Sequence, residues 1–191
     1  MHKLTRSQSQ AQTRARLIEA AQQLFMRDGF AATSIDAIAE AAGYSKGAVY
    51  SNFGSKEDVF LAALHEGGRA NLAGLLEGLG HTRSADEVIE VMAGWADRQA
   101  GAGNWTLTIL EHARLVQDDA ASLRQQERIL REAWQRLGSW MVERFPQLGE
   151  DAELVGALLF ELAYAPALST VKAPTPGAMV RLVLGRLLAQ P

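Results

Sequence analysis

Apolar residues recur along this chain with the period of an α-helix almost from end to end. Leu17, Ala21, Leu24 and Phe25 fall on one face at i, i+4, i+7 and i+8. That stripe stops at Asp28-Gly29, where glycine can end a helix. Thr33-Ser34-Ile35-Asp36 then reads as a capping box, with the Thr33 hydroxyl at the N-cap and the Asp36 carboxylate three residues on. Ile35, Ile38, Ala39 and Ala42 carry a short second helix as far as Gly43. Ser45 caps a third helix that runs to about Asn52, and Ser55 caps a fourth that runs to about Leu79, weakened by Gly67, Gly68 and Gly74. Further helices are predicted at about 85–100, 104–117, 119–145, 151–170 and 176–189, separated by Gly101–Gly103, Asp118-Asp119, Pro146–Gly149 and Lys172–Gly177. No stretch alternates like a strand and no segment repeats. The expected fold is all-α, with about nine helices.

Charge changes the picture more than composition does. The 191 residues carry a net charge of −3 and are 48% hydrophobic, enough to build a core. The charge is unevenly spread. Residues 1–56 hold seven Lys/Arg against four Asp/Glu, whereas residues 57–191 hold twelve against eighteen. Lys3, Arg6, Arg14 and Arg16 stand in the first sixteen residues with no acid among them. A basic end and an acidic body suit a protein that turns one end to a polyanion. The chain has no cysteine, which excludes disulfides, thiolate metal sites and thiol redox sensing. The polar first sixteen residues do not read as a signal peptide, and no run approaches the roughly 18 apolar residues of a membrane span. A cytoplasmic protein with no membrane association is expected.

The densest constellation lies between Ile35 and Lys56. Two short helices meet at Gly43-Tyr44, with Ala39 four residues before the glycine and Val49 six after it. A small residue at Ala39 lets the helices approach, Gly43 can adopt the positive φ that the turn needs, and Val49 packs inward to fix the crossing angle. This is the logic of a helix-turn-helix, whose second helix offers its outer face to the DNA major groove. Ser45 and Lys46 stand at the start of that helix, small Gly47 and Ala48 permit close approach, and Tyr50, Ser51 and Asn52 supply polar tips. Thr33, Ser34 and Ser45 are candidate phosphate donors, Lys46 a reader of guanine or phosphate, Asn52 a reader of adenine, and Lys56 a backbone-phosphate contact. The alternative at this stage is an ordinary corner of a helical bundle.

The segment TSIDAIAEAAGYSKGAVYSNFGSKEDVF over residues 33–60, preceded by AAQQLFMRDGF over residues 20–30, resembles the DNA-binding signature of TetR-family transcriptional regulators. The resemblance covers about residues 13–62. It implies a flexible basic arm over 1–12, a helix-turn-helix domain over 13–60 with the motif at about 35–54, and a ligand-binding and dimerisation domain over 61–191. In such proteins the positions of Thr33, Ser34, Tyr50 and Lys56 commonly touch phosphates, and those of Ser45, Lys46, Gly47 and Ala48 face the groove, with Ser51 and Asn52 at the helix end. Two residues depart from the common pattern. Tyr44 replaces a smaller aliphatic residue, and Asn52 stands where many members have histidine.

The resemblance also implies a ligand cavity among the middle helices and a homodimer through the last two. Leu154, Leu158 and Leu162 on one helix, and Val180, Val183, Leu184 and Leu187 on the other, form stripes that one monomer would find hard to cover, with Gly156 and Ala157 small enough for close approach. The alternative is that both stripes are internal core. Candidate ligand contacts are Met92, Trp95, Trp105, Ile109, His112, Trp134, Phe160 and Tyr164, with polar groups at Asn104, Glu111, Gln135 and Glu161; each is open to a plain core reading as well. The function this implies is a repressor released from double-stranded operator DNA by a hydrophobic or aromatic small molecule, with helix 4 linking head to body.

An enzyme is not expected. The four histidines are scattered, and there is neither a metal-binding spacing nor a phosphate loop, so no cofactor or metal is expected either. The remaining rival is an all-helical adaptor that binds protein and not DNA.

Overall fold

The computed structural model describes residues 5–101, 105–164 and 171–189. Among them are nine α-helices, one 3-10 turn and no strand. The helices are α1 (Arg6–Ala32), α2 (Ile35–Ala42), α3 (Lys46–Asn52), α4 (Lys56–Gly80), α5 (Ala85–Gly101), α6 (Trp105–Leu115), α7 (Ala120–Arg144), α8 (Ala152–Tyr164) and α9 (Pro176–Leu188), with the turn at Pro146–Leu148. Lys3, Asn104 and the end of the helix expected over 151–170 lie outside the described residues.

Residues 6–12, expected as part of a flexible arm, are the first turns of α1. A reciprocal capping box starts that helix: the Gln8 amide donates to Thr5 Oγ1 and the Thr5 amide to Gln8 Oε1. The expected stop at Gly29 is a break and not an end. Gly29 takes φ 83° and ψ 175°, and one more turn follows before the chain leaves at Thr33. This moves the next cap by one residue. Ser34, not Thr33, is the N-cap of α2 and accepts from the Ala37 amide, while Thr33 is buried and donates its hydroxyl to Gly29 O at 2.7 Å.

Two cores result. The head core gathers Leu17, Leu24, Phe25 and Phe30 of α1, Ile35 and Ile38 of α2, Val49 of α3 and Val59 to Leu64 of α4. The body core gathers Leu72 to Leu79 of α4, Val88 to Ala96 of α5, Leu137 and Met141 of α7, Leu159 of α8, and Val180 and Leu184 of α9. Helix α4 spans both, with a short apolar face at each end.

Helices α7 and α8 cross at glycines. A Cβ on Gly138 would stand 1.6 Å from Ala152 O, and one on Gly156 would stand 1.9 Å from Trp134 O. Gly156 therefore serves a contact inside the chain and not the dimer approach expected for it. Helix α9 is anchored to α5 at its start. Asp97 accepts from the Gly177 amide at 2.7 Å beside the Thr175 cap, and Arg181 makes a two-pronged pair with Glu90.

Candidate DNA-binding face and ligand cavity

The turn between α2 and α3 forms as its residues require. Gly43 lies at φ 75° and ψ 31°, its amide donates to Glu40 O, and the Tyr44 amide donates to Ala39 O. Ser45 caps α3 by accepting from the Ala48 amide, and Val49 is the buried residue of that helix. With Val49 turned inward, the opposite face of α3 is solvent-facing. Ser45, Lys46, Gly47, Tyr50 and Ser51 are exposed, Tyr50 to 49%. Ser34 is exposed one helix back, and Ala48 is half-buried.

Three of the expected DNA contacts make bonds within the fold. Thr33 is buried, as described above. The Asn52 side-chain amide donates back to Ala48 O at 2.8 Å. Lys56 lies 4.4 Å over the Phe30 ring and donates to Ala31 O at 3.3 Å, which draws it toward α1. Burial pushes the Lys56 ammonium below its ordinary pKa, partly opposed by Glu57 and Glu111.

Two residues matter here that the motif alone did not mark. Asp36 pairs with Lys46 at 2.8 Å across the turn, and the hydrogen bond and then the charge of Asp36 raise the Lys46 pKa. Arg14, one of the basic residues of the first sixteen, stacks 4.1 Å over Phe53 and donates to Asn52 O at 2.9 Å. It braces the end of α3. The Asp36–Lys46 spacing of ten residues across a Gly turn was a readable signal; nothing in the sequence brings Arg14 to Phe53.

A cavity of about 420 Å³ opens between α4, α6, α7 and α8. Of the expected contacts it brings together Trp105, Ile109, Trp134, Phe160 and Tyr164. Met92 and Trp95 do not line it, since both are buried in the body core. His112 does not line it either. It is 0% exposed, its Nδ1 lies 2.7 Å from Gln126 Oε1, its ring packs on Phe30 and Phe60, and its Nε2 has no partner. Leu64, Gly68 and Leu72 of α4 and Ile129 and Ala133 of α7 complete the apolar wall. Gly68, which weakened α4 as a helix, lies against this open space. Nothing lies within 4 Å of where its Cβ would be.

The polar groups at the cavity are unevenly engaged. Arg69 pairs with Glu66 at 2.9 Å, and its hydrogen bond holds the Glu66 carboxyl below the usual range. Tyr164 turns its hydroxyl into a cluster with Asn71 and Gln99, where burial pushes its pKa up to about 12, partly offset by the hydrogen bond from Asn71. The Trp95 indole N–H joins that cluster at Asn71. Trp105, Ile109 and Ile129 border the cavity and also pack on the head core, with the Trp105 ring 5.9 Å from Phe60. Cavity and head therefore share a wall.

On the last two helices, Leu154 is 66% exposed, and Leu158 and Leu187 are also exposed, while Leu162 and Val183 are half-buried. Val180 and Leu184 are buried in their own chain's core and drop out of the expected dimer stripe. Leu182, exposed and not foreseen, lies on the outer side of α9.

Residues 17–63 match the model of the family described as bacterial regulatory proteins, tetR family. Over 65 residues the chain is 43% identical to the HTH-type transcriptional regulator TtgR of Pseudomonas putida, a stretch covering 32% of this chain and 31% of that protein. The match thus spans about a third of the curated relative's length. Two solved structures share the fold along nearly the whole chain. The SCO7518 protein of Streptomyces coelicolor A3(2) has a TM-score of 0.68 at 21% identity, covering 94% of this chain and 99% of that one. FadR from Bacillus subtilis in complex with stearoyl-CoA has a TM-score of 0.66 at 20% identity, covering 92% and 97%.

Proposed function

We propose that this chain, which belongs to the tetR family of bacterial regulatory proteins through its residues 17–63, works as a homodimeric repressor that binds operator DNA and releases it when a small hydrophobic or aromatic molecule occupies the body. The observation that carries the reading is the outer face of α3. A helix fixed from behind by Val49 presents Ser45, Lys46, Gly47, Tyr50 and Ser51 to solvent, with capped N-termini at Ser34 and Ser45 beside it. That is the surface a major groove accepts. In a dimer, two such helices about 34–36 Å apart, or a multiple of that, would meet successive grooves.

Exposed Leu154 and Leu158, one turn apart on α8, with exposed Leu187 on α9, support pairing with a second copy. The cavity supports the effector. Its lining is mainly apolar and aromatic, with His65, Arg69, Glu132, Arg136 and Glu161 among it, its size suits a small molecule, and a protein of the same fold holds stearoyl-CoA. Release follows if the effector binds better to the arrangement in which the heads no longer match the DNA. The shared wall of Trp105, Ile109 and Ile129 gives an occupant a direct route to the head core, in addition to the α4 link expected from the sequence.

The test begins with selection of duplexes from a random pool by the purified chain. One sequence should emerge that binds at least about a thousandfold more tightly than random DNA, with steep loss of affinity on adding salt. Tyr50→Ala should lower that affinity at least about tenfold, about 1.4 kcal/mol, while helicity and oligomeric state stay unchanged. An adaptor for protein partners would enrich no sequence.

A further inference from the structure

Glu111 is a residue of the body, on α6, yet both oxygens of its carboxylate are given to the head. Oε2 accepts from the Phe30 amide at 2.7 Å and Oε1 from the Ala31 amide at 3.2 Å. Both amides directly follow the break at Gly29, and an anionic acceptor satisfies backbone donors at such a break well. Gly29 is suited to the position twice over. Its φ of 83° favours glycine, and a Cβ there would come 2.9 Å from Glu111 Oε2.

The surrounding bonds hold this short segment and the part of α1 just before the break. Thr33 donates to Gly29 O, Lys56 donates to Ala31 O, and one turn along α6 Thr108 donates to Phe25 O at 3.1 Å. The segment leads directly into Ser34, the cap of α2, and α2 carries α3 through the Gly43 turn. On the other side of α6, Trp105 and Ile109 border the cavity.

We propose that Glu111 is a positioning residue: by gripping the Phe30 and Ala31 amides it fixes the tilt of the helix-turn-helix on the body, and so sets where α3 points. Its consequence for DNA rests on the function proposed above; the grip itself does not. Because the chain has no cysteine, spin labels can be placed at will. Exposed Glu40 on α2 and exposed Glu143 on α7 are replaced as E40C and E143C, and the labelled chain is diluted with unlabelled protein so that one head-to-body distance is read. The reference protein should give a narrow distribution, and adding E111Q should broaden it with helicity unchanged. If only about a tenth of the E111Q population keeps the competent tilt, affinity for the selected duplex falls about tenfold while affinity for random duplex stays the same.

An unchanged narrow distribution in E111Q overturns the proposal. So does a broadened distribution with undiminished affinity for a duplex that the unmutated chain binds. If the unmutated chain selects no duplex, the DNA reading fails and the distance result still decides the role of Glu111. Should E111Q not fold, amide exchange in the unmutated protein decides: slow exchange at Phe30 and Ala31 supports the grip, and fast exchange at both removes it.

Discussion

Each half of the molecule contains three aromatic rings in mutual contact, and the two triads have opposite outcomes. In the head, Phe25 stacks on Phe30 at 5.7 Å and both meet Phe60 edge-on at 5.3 and 5.2 Å. All three are buried, and His112 of the body closes the cluster from the far side. In the body, Trp95, Phe160 and Tyr164 lie 5.4 to 6.0 Å apart in much the same way. There only Trp95 is buried, and the half-buried Phe160 and Tyr164 border the cavity. Aromatic content thus does not distinguish a core from a pocket. What differs is what fills the opposite side: α2, α3, α4 and α6 converge on the head triad, whereas Gly68 leaves the space beside the body triad open.

The sharpest way to break this contrast is to truncate one ring in each triad. Phe60→Ala should cost about 3–5 kcal/mol of unfolding free energy, since it empties the junction of head and body. Phe160→Ala should cost well under half of that, because the ring already faces open space. Equal losses in urea titrations would remove the distinction. Next comes Gly138→Ala. The added methyl collides with the backbone of α8, and a loss of about 3 kcal/mol is expected. A loss below about 1 kcal/mol would show that the α7–α8 crossing is looser than the geometry requires.

A smaller effect separates the triads by their polar neighbours. Burial lowers the His112 pKa, opposed by its hydrogen bond to Gln126 and by Glu57 and Asp119. The unfolded chain therefore binds this proton at a higher pH than the folded one. The contribution of a neutral His112 is fully present above about pH 6.5 and is lost as the pH falls toward the folded value. Stability between pH 7 and 5 should fall with a slope of at most ~1.4 kcal/mol per pH unit from this group, and His112→Gln should flatten that slope. The body cluster of Asn71, Gln99 and Tyr164 contains no group that titrates in this range. The smallest effect is at the DNA face. Asp36→Asn releases Lys46 from its exposed pair and removes a negative charge, so binding to any duplex should tighten about threefold at low salt and by less at high salt. Unchanged affinity would mean that Lys46 does not face DNA.

Local physics made the helices and the motif legible. A helix-turn-helix is specified by residues a few positions apart: Ala39, Gly43, Ser45 and Val49 act on their near neighbours through capping, chirality and one buried contact. Period and punctuation likewise placed the helices, with small errors such as the shift of the α2 cap from Thr33 to Ser34; α1 was the exception, since residues 6–12 are its first turns and it continues past Gly29 to Ala32. The 3.6-residue period also shows which face of a helix is apolar.

The period cannot show what that face meets, because this depends on residues far along the chain. Val180 and Leu154 read alike in sequence, yet one is sealed beneath α5 and the other exposed. Trp95 and Phe160 were both candidates for a cavity that only one of them borders. Glu111 was a polar residue beside a histidine until the fold carried it 81 positions back to the Phe30 amide. Its role depends on a backbone break at Gly29 that no periodicity describes. Sequence determines the helices because their hydrogen bonds close within four residues. The cavity, the grip on the head and the choice of which leucines stay exposed exist only once α4, α6, α7, α8 and α9 have packed.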